Sequence, residues 1–290
     1  MTRPCALPPI VCGVDASYVV PLRALMSSLV TTHAYDHGDL RLIVLHDQLP
    51  EAARADILRH ARQIGLSTQL RAVPAAPVRG PVSGWVSEAV YLRLSIAEVI
   101  GDERVVLYLD ADTLVLRSLR PLLRHQLGGA PLAAVRDPQN PVLGRGIALP
   151  GWDRLGLPAG REYFNSGVML IDLSVCRERG LFERARRFLA EHPGHARFWD
   201  QDALNWAAED TWLRLDRRWN TFALSSLASQ PGFVHHAEEV MPLATLLGDE
   251  SRAAVLHFAG PDKPWKAGYP AAALADLYQQ HLPATTGGPR

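Results

Sequence analysis

The stretch RVVLYLDAD, residues 104–112, decides the fold of this chain. Its apolar run at 105–109 is typical of a strand buried on both faces of a parallel sheet. Two carboxylates, Asp110 and Asp112, follow the run directly. Because open α/β sheets bind ligands at the carboxyl ends of their strands, the sequence predicts a ligand site at these two residues.

Strand and helix patterns alternate on either side of this stretch. We predict strands at 10–14, 41–46, 68–73, 167–172 and 253–258, and helices near 18–32, 51–63, 86–99 and 174–191. This order favours an α/β fold with a single, mostly parallel central sheet, helices on both faces and an irregular C-terminal part. Neither GxGxxG nor GxxxxGK[ST] occurs, so dinucleotide and P-loop sites have no support.

Composition and charge exclude several classes of protein. The 290 residues are 48% hydrophobic and carry 30 basic and 30 acidic side chains, so the net charge is +0. These values exclude a disordered chain and argue against a nucleic-acid partner bound through a bulk positive field. Three scattered cysteines and the lack of a long apolar run predict a cytoplasmic protein. We expect the tail at 284–290 to be disordered.

Bare motifs leave more than one interpretation open. Since the chain has 18 Asp, about one DxD pair is expected by chance, and a second pair does occur at Asp200 and Asp202. The alternative for Asp110 and Asp112 is a solvated corner between strand and loop, with Asx capping. The Pro- and Gly-rich segment 137–162 is long enough to suggest a functional loop.

The segment HFAGPDKPW, residues 257–265, combines groups suited to a phosphate or a metal. Gly260 allows close backbone approach to a ligand, Lys263 can pair with a phosphate, and His257 can complete a metal site. Lysine is rare here, because only two of the 30 basic residues are Lys. By residue type alone, His235 and His236 have as good a claim as His257 to be a ligand.

Five ordered blocks together identify a family resemblance. They are YLRL at 91–94, LYLDADTL at 107–114, FNSGVMLI at 164–171, DQDALN at 200–205 and HFAGPDKPW at 257–265. From about residue 11 to 265 the chain resembles glycosyltransferase family 8, including bacterial lipopolysaccharide galactosyl- and glucosyltransferases and, more distantly, glycogenin. The resemblance implies a Rossmann-like GT-A fold in one domain over 1–283, with a nucleotide-binding half at about 8–135 and an acceptor and sugar half at about 136–283.

The resemblance also implies an activity and a set of site residues. It implies a retaining, metal-dependent transfer of galactose or glucose from a UDP-hexose to a saccharide or glycolipid acceptor. The metal would be Mn²⁺, with Mg²⁺ as the alternative, on Asp110, Asp112 and His257. Gln201 and Asp200 would be catalytic, and the donor would contact Asp15, Ser17, Tyr18, Arg93, Asp110, Ala111, Asp112, Asp137, Asn165, Ser166, Gly260 and Lys263.

Some expectations stay open at this point. Retention of configuration could arise by front-face attack, which we favour because the amide of Gln201 is a poor nucleophile, or through a covalent intermediate on Asp200. Where some relatives carry a phosphate-binding His, this chain has Trp85. The short, nearly uncharged tail predicts at most weak peripheral membrane contact. The alternative functions are a metal-dependent nucleotidyltransferase and a non-catalytic module that binds UDP-sugars.

Overall fold

A computed structural model of the protein describes residues 6–74, 87–101 and 103–282. The described strands are β1 (Ile10–Val14), β2 (Arg41–His46), β3 (Ser67–Ala72), β4 (Val105–Leu109), β5 (Thr113–Val115), β6 (Leu132–Arg136), β7 (Phe164–Asp172), β8 (Leu213–Arg214), β9 (Thr221–Phe222) and β10 (Val255–His257). Seven form the central sheet, in the order β3-β2-β1-β4-β7-β6-β8, and the other three form a small sheet, in the order β5-β10-β9.

The α-helices within the described ranges join these strands. They are α1 (Val19–Thr32), α2 (Glu51–Ile64), α3 (Ile96–Val99), α4 (Arg120–Leu123), α5 (Leu173–Glu178), α6 (Leu181–Glu191), α7 (Trp199–Ala208), α8 (Leu224–Ala228), α9 (Leu243–Asp249) and α10 (Ala272–Gln279). None of the helices in the described ranges is both long and apolar enough to cross a membrane.

The predicted sheet is confirmed, because β1, β2, β3 and β4 pair in parallel. Only β7 runs against its neighbours β4 and β6. Alternate residues of β4 enter different cores: Val106 and Tyr108 pack in one, and Leu107 and Leu109 in the other. This alternation follows from the two-residue period of a strand, and it means that both faces of the sheet are covered.

Three local predictions differ from the structure. The single helix near 174–191 is wrong, because Gly180 adopts a φ of +59° between α5 and α6 and ends the first helix in the left-handed region. The helix near 86–99 is largely a 3₁₀ helix over Glu88–Ser95, continued by one turn of α3. Strand β7 begins three residues earlier than predicted, so its first residues carry the polar side chains of the FNSG block.

The small sheet brings the C-terminal part of the chain to the end of β4. Strand β10 pairs antiparallel to β5, with His257 opposite Thr113, and parallel to β9, with His257 opposite Phe222. The amide of Phe258 donates to the carbonyl of Asp112 at 2.9 Å. The register therefore places His257 beside the carboxylates that follow β4. Trp85 and the tail at 284–290 lie outside the described residues.

Candidate active site

Most of the predicted site residues converge on one cleft of about 350 Å³ at the carboxyl end of the central sheet, a size that suits a small ligand. We call it the active-site cleft. Its lining includes Tyr18, Arg93, Asp110, Ala111, Asp112, Asp137, Asn165, Ser166, Asp200, Gln201, His257, Gly260 and Lys263. Asp15 and Ser17 are not part of this lining. The carboxylate of Asp15 instead accepts hydrogen bonds from the amides of Ser17 and Tyr18, which caps the turn after β1.

Two carboxylates and one imidazole form a candidate metal site. One ligand atom from each of Asp110, Asp112 and His257 lies within 4.8 Å of the other two. Nε2 of His257 is 3.4 Å from a carboxylate oxygen of Asp112 and 3.9 Å from one of Asp110. His235, the sequence alternative, instead contacts the carbonyl of Met241 through Nε2.

Asn220 fixes which nitrogen of His257 is free to bind. Oδ1 of Asn165 accepts from the amide of Gly167 at 3.0 Å, so Asn220 must present its NH₂ group to that oxygen, at 2.8 Å. Oδ1 of Asn220 therefore faces Nδ1 of His257, at 2.9 Å, and accepts a hydrogen bond from its N–H. The Nε2 lone pair is left aimed at the two carboxylates, which is the tautomer that a metal ligand needs. The residues present thus fit a divalent ion.

Gly167 leaves the space in which the His257 ring sits. A Cβ atom at this position would lie 2.8 Å from Nδ1 of His257, still closer to Cε1, and 2.9 Å from Oδ1 of Asn165. Because these distances are shorter than real Cβ contacts, glycine is required here by the imidazole and not by a special φ value. The FNSG block therefore shapes the metal site from behind.

Lys263 sets the charge state of Asp112. Its ammonium group donates to Asp112 at 2.6 Å and to the carbonyl of Phe258 at 2.8 Å, and both charged side chains are buried. Burial by itself would raise the pKa of Asp112, but the ammonium group of Lys263 outweighs that effect and holds the pKa well below its usual range. Asp112 is therefore charged at neutral pH and available to a cation.

Arg93 braces two of the carboxylate groups of the cleft. It donates to Asp110 at 2.8 Å and to the carbonyl and hydroxyl of Ser166 at 2.8 and 2.9 Å, and its Nε lies 3.1 Å from Asp200. The guanidinium also lies over the Tyr108 ring, 4.6 Å from its centroid. Burial would lower the pKa of Arg93, but the charges of Asp110 and Asp200 raise the pKa by more, so Arg93 remains charged.

Gln201 and Asp200 lie at the start of α7. The side-chain oxygen of Gln201 accepts from Asn165 at 2.7 Å and from the amide of Ser166 at 3.0 Å, and its nitrogen donates to Asp137 at 3.2 Å. Burial, reinforced by Asp110 and opposed by Arg93, raises the pKa of Asp200 to about 7.

The backbone ahead of this pair is strained. Trp199, immediately before Asp200, has a φ of +47°, which is unfavourable for a bulky side chain and is often seen at functional sites. This conformation fixes the direction in which α7 starts, and with it the position of both polar side chains.

The second carboxylate of the DQD block points away from the cleft. Asp202 accepts from the amides of Leu149 and Phe198 at 2.8 and 2.6 Å and from the hydroxyl of Tyr163 at 2.7 Å. Burial raises the pKa of Asp202 to about 6, although these hydrogen bonds by themselves would lower it. Asp202 therefore ties the 137–162 loop to α7.

Sequence reasoning missed Asn220, Tyr108 and this role of Asp202. Asn220 stands in no motif, so no sequence signal could have found it. Tyr108, whose hydroxyl donates to Asp110 at 3.0 Å, looked like core because the rest of its strand is apolar. Asp202 lay inside a quoted block, but only the buried loop contact shows which way it faces.

Comparison with known proteins agrees with this geometry. Residues 9–268 match the profile of glycosyl transferase family 8. The chain belongs to this family. It is therefore a glycosyltransferase, and its fold is the GT-A fold predicted from the sequence.

Individual relatives cover nearly the whole of this family 8 chain. General stress protein A of Bacillus subtilis is 28% identical over 271 residues, which is 89% of the chain and 87% of that protein. The lipopolysaccharide 1,2-glucosyltransferase of Escherichia coli is 27% identical over 285 residues, or 96% and 79%. The galactosyltransferase LgtC, solved with donor and acceptor sugar analogues, superposes with a TM-score of 0.75 at 26% identity and covers 97% of this chain and 98% of its own.

Proposed function

We propose that the protein is a retaining hexosyltransferase that moves galactose or glucose from a UDP-sugar to a saccharide or lipid-linked glycan. The observation that carries the proposal is the cluster of Asp110, Asp112 and His257 beside Lys263 in the cleft of a family 8 chain. The glucosyl- and galactosyltransferases among its relatives support a hexose donor.

The proposed ion is Mn²⁺. Carboxylates suit a hard divalent cation, and the imidazole nitrogen of His257 disfavours Mg²⁺, which in proteins takes mainly oxygen ligands. The ion would neutralise the negative charge that develops on the departing nucleoside diphosphate. Lys263 would add a second positive charge on the same side, and Gly260, with a φ of +100°, would let the backbone approach the phosphates.

Polar side chains around Gln201 would hold the hexose. Asp137 and Asn165 contact the side-chain amide of Gln201, and all three residues line the cleft. Their side chains can therefore accept hydrogen bonds from sugar hydroxyls or donate hydrogen bonds to them. Asp200, Ser166 and Ala111 would complete this pocket, with Arg93 holding the carboxylates in place. At the other end of the donor, Tyr18 would stack on the uracil ring, and Asp15 and Ser17 in the same turn would contact the uridine.

Front-face transfer is the proposed route to retention. The Gln201 amide is a poor nucleophile, and Asp200 is engaged by Arg93 and Ser166. We therefore propose that the acceptor hydroxyl attacks from the side of the leaving phosphate, whose oxygen takes the proton. A glycosyl group trapped on Asp200 in a slow variant would contradict this route.

The first experiment measures the thermal midpoint with UDP, in Mn²⁺ and then in excess chelator. At about 100 times the dissociation constant, UDP should stabilise the protein by roughly 2.7 kcal/mol, a rise of about 4 °C for a chain of this size. A rise in Mn²⁺ that the chelator abolishes supports the proposed donor site. No rise with UDP under either condition would contradict it.

A double variant then tests the residues. Asp112→Asn with His257→Ala should abolish the metal-dependent rise and the release of UDP from UDP-galactose or UDP-glucose. The control is Asp153→Asn with His125→Ala, which changes the same residue types at exposed positions outside the cleft. Equal activity in both double variants would show that the candidate cluster does not hold the metal.

A further inference from the structure

A second, strongly basic cleft of about 680 Å³ lies at the β8 edge of the central sheet. We call it the basic cleft and define it by its six arginines, Arg117, Arg136, Arg214, Arg217, Arg218 and Arg252. None of its lining residues lines the active-site cleft. The proposed UDP-sugar site does not use it.

The positive charge of the basic cleft exceeds its negative charge. Its three acidic residues are Glu162, Asp216 and Asp249, so six arginines face three carboxylates in a chain whose net charge is +0. Asp216 is engaged by its own turn, where it accepts from the amide of Arg218 at 3.0 Å. A local excess of this kind attracts anions.

Three carboxylates hold four of the arginines in place. Asp249, which is buried, pairs with Arg217 at 2.7 Å and with Arg252 at 2.6 Å. Glu162 pairs in the same way with Arg136 at 2.7 Å and Arg214 at 2.6 Å. Arg214 also pairs with Asp210. Three carboxylates thus position the four arginines, and their positive charge is neutralised only in part.

The other two arginines are available to a ligand. Arg117 and Arg218 are exposed, and neither forms an ion pair with any carboxylate of residues 6–74, 87–101 or 103–282. Arg218 lies over the Trp219 ring, 4.8 Å from its centroid, which holds its guanidinium plane. Fixed guanidinium groups with free donors suit phosphate oxygens, which they bind in pairs.

The walls of the basic cleft argue against a nucleobase and against a lipid bilayer. Its neighbouring aromatic rings, Trp212 and Trp219, are buried and covered by Arg214 and Arg218, so they offer no open face for a nucleobase. Its apolar residues, Leu215 and Met241, are also buried, so no exposed apolar side chain would enter a lipid bilayer. The walls therefore favour a hydrophilic anion, and the free guanidinium donors favour phosphate groups on it.

We propose that the basic cleft binds the phosphate groups of a phosphorylated saccharide. The saccharide part rests on the proposed function, whereas the phosphate part rests on the arginines alone. Arg136 lines the basic cleft and Asp137, the next residue, lines the active-site cleft. This segment therefore lies between the two clefts, and the ligand of the basic cleft does not occupy the proposed donor site.

The test is a calorimetric titration at about 0.15 M salt with glucose 1,6-bisphosphate, and with glucose as the unphosphorylated control. We expect binding of the bisphosphate only, and Arg117→Gln with Arg218→Gln should weaken it by about tenfold or more. The matched control is Arg54→Gln with Arg59→Gln, which removes the same charge from a half-buried and an exposed arginine of α2, paired to Glu51 and Asp56. This control should change the affinity less than about twofold.

Three results would overturn the proposal. They are equal affinity in the two double variants, displacement of the bisphosphate by UDP with Mn²⁺, and binding to phosphatidylglycerol vesicles without binding to the bisphosphate. The last would assign the cleft to a membrane surface. Failure of the proposed function has a different signature, because the bisphosphate would still bind while UDP gave no metal-dependent stabilisation.

Discussion

Replacing Asn220 with alanine should loosen the candidate metal site without touching a ligand. The change removes the 2.9 Å contact with Nδ1 of His257 and the 2.8 Å contact with Asn165. The imidazole then loses the partner that holds its tautomer. Loss of such an outer hydrogen bond lowers metal affinity by about 10–100-fold, or roughly 1.4–2.7 kcal/mol. The buried Nδ1–H left without a partner should lower the free energy of unfolding by about 1–3 kcal/mol.

The assay titrates Mn²⁺ in saturating UDP and follows free Mn²⁺ by electron paramagnetic resonance. Urea unfolding without metal measures stability separately. Thr221→Val is the matched control, since it removes a neighbouring, partly buried hydrogen bond, to the carbonyl of Arg217 at 3.0 Å, and leaves the bond between Asn220 and His257 in place. It should lower stability and leave Mn²⁺ affinity unchanged. If Asn220→Ala loses stability but keeps the affinity of the unchanged protein, the assignment of the His257 tautomer is refuted.

Three further changes probe neighbouring features. Gly167→Ala should displace the His257 ring and weaken Mn²⁺ binding by at least about tenfold in the same titration, and unchanged binding would show that the ring has room to move. Lys263→Met removes the cation nearest Asp112, so UDP affinity measured by calorimetry should fall by about tenfold or more, whereas equal affinity would exclude a phosphate contact. Burial raises the pKa of Asp202 to about 6, from about 4 in the unfolded chain. Between these two values the folded state holds a proton on Asp202 that the unfolded state has released. The contribution of Asp202 to the free energy of unfolding is therefore present below about pH 4 and is lost as pH rises to about 6. Asp202→Asn should remove that loss, by up to about 3 kcal/mol in urea unfolding at pH 7 relative to pH 4, and parallel pH profiles for the two proteins would contradict it.

The sequence predicted the site best where its residues directly follow an apolar strand. The apolar run of β4 predicted both the strand and a ligand site at its end. The family resemblance supplied the other site residues, and 13 of the 15 in all line one cleft. Gly180 shows the limit for helices: the pattern at 174–191 continues through it, and only the backbone φ reveals the break. Asn220 shows the limit for the site, because its role depends on partners that are distant in sequence.

The division of the domain near residue 135, the cytoplasmic location and the identity of the acceptor stay predictions. Trp85, which stands where some relatives carry a phosphate-binding His, lies outside the described part of the chain. The same holds for the tail, so its expected disorder also stays a prediction.

The pairing of β5 with β10 builds the candidate metal site from two distant parts of the chain, one with Asp110 and Asp112 and the other with His257. Lys263 and Asp112 meet although 151 positions separate them, and closing so large a loop is entropically unfavourable until the small sheet forms. Neither part carries the whole ligand set. A protein split in an exposed loop between them, at Pro231–Gly232 for example, should yield two fragments that bind Mn²⁺ only after they reassemble, so that metal uptake would report the joining of the two pieces.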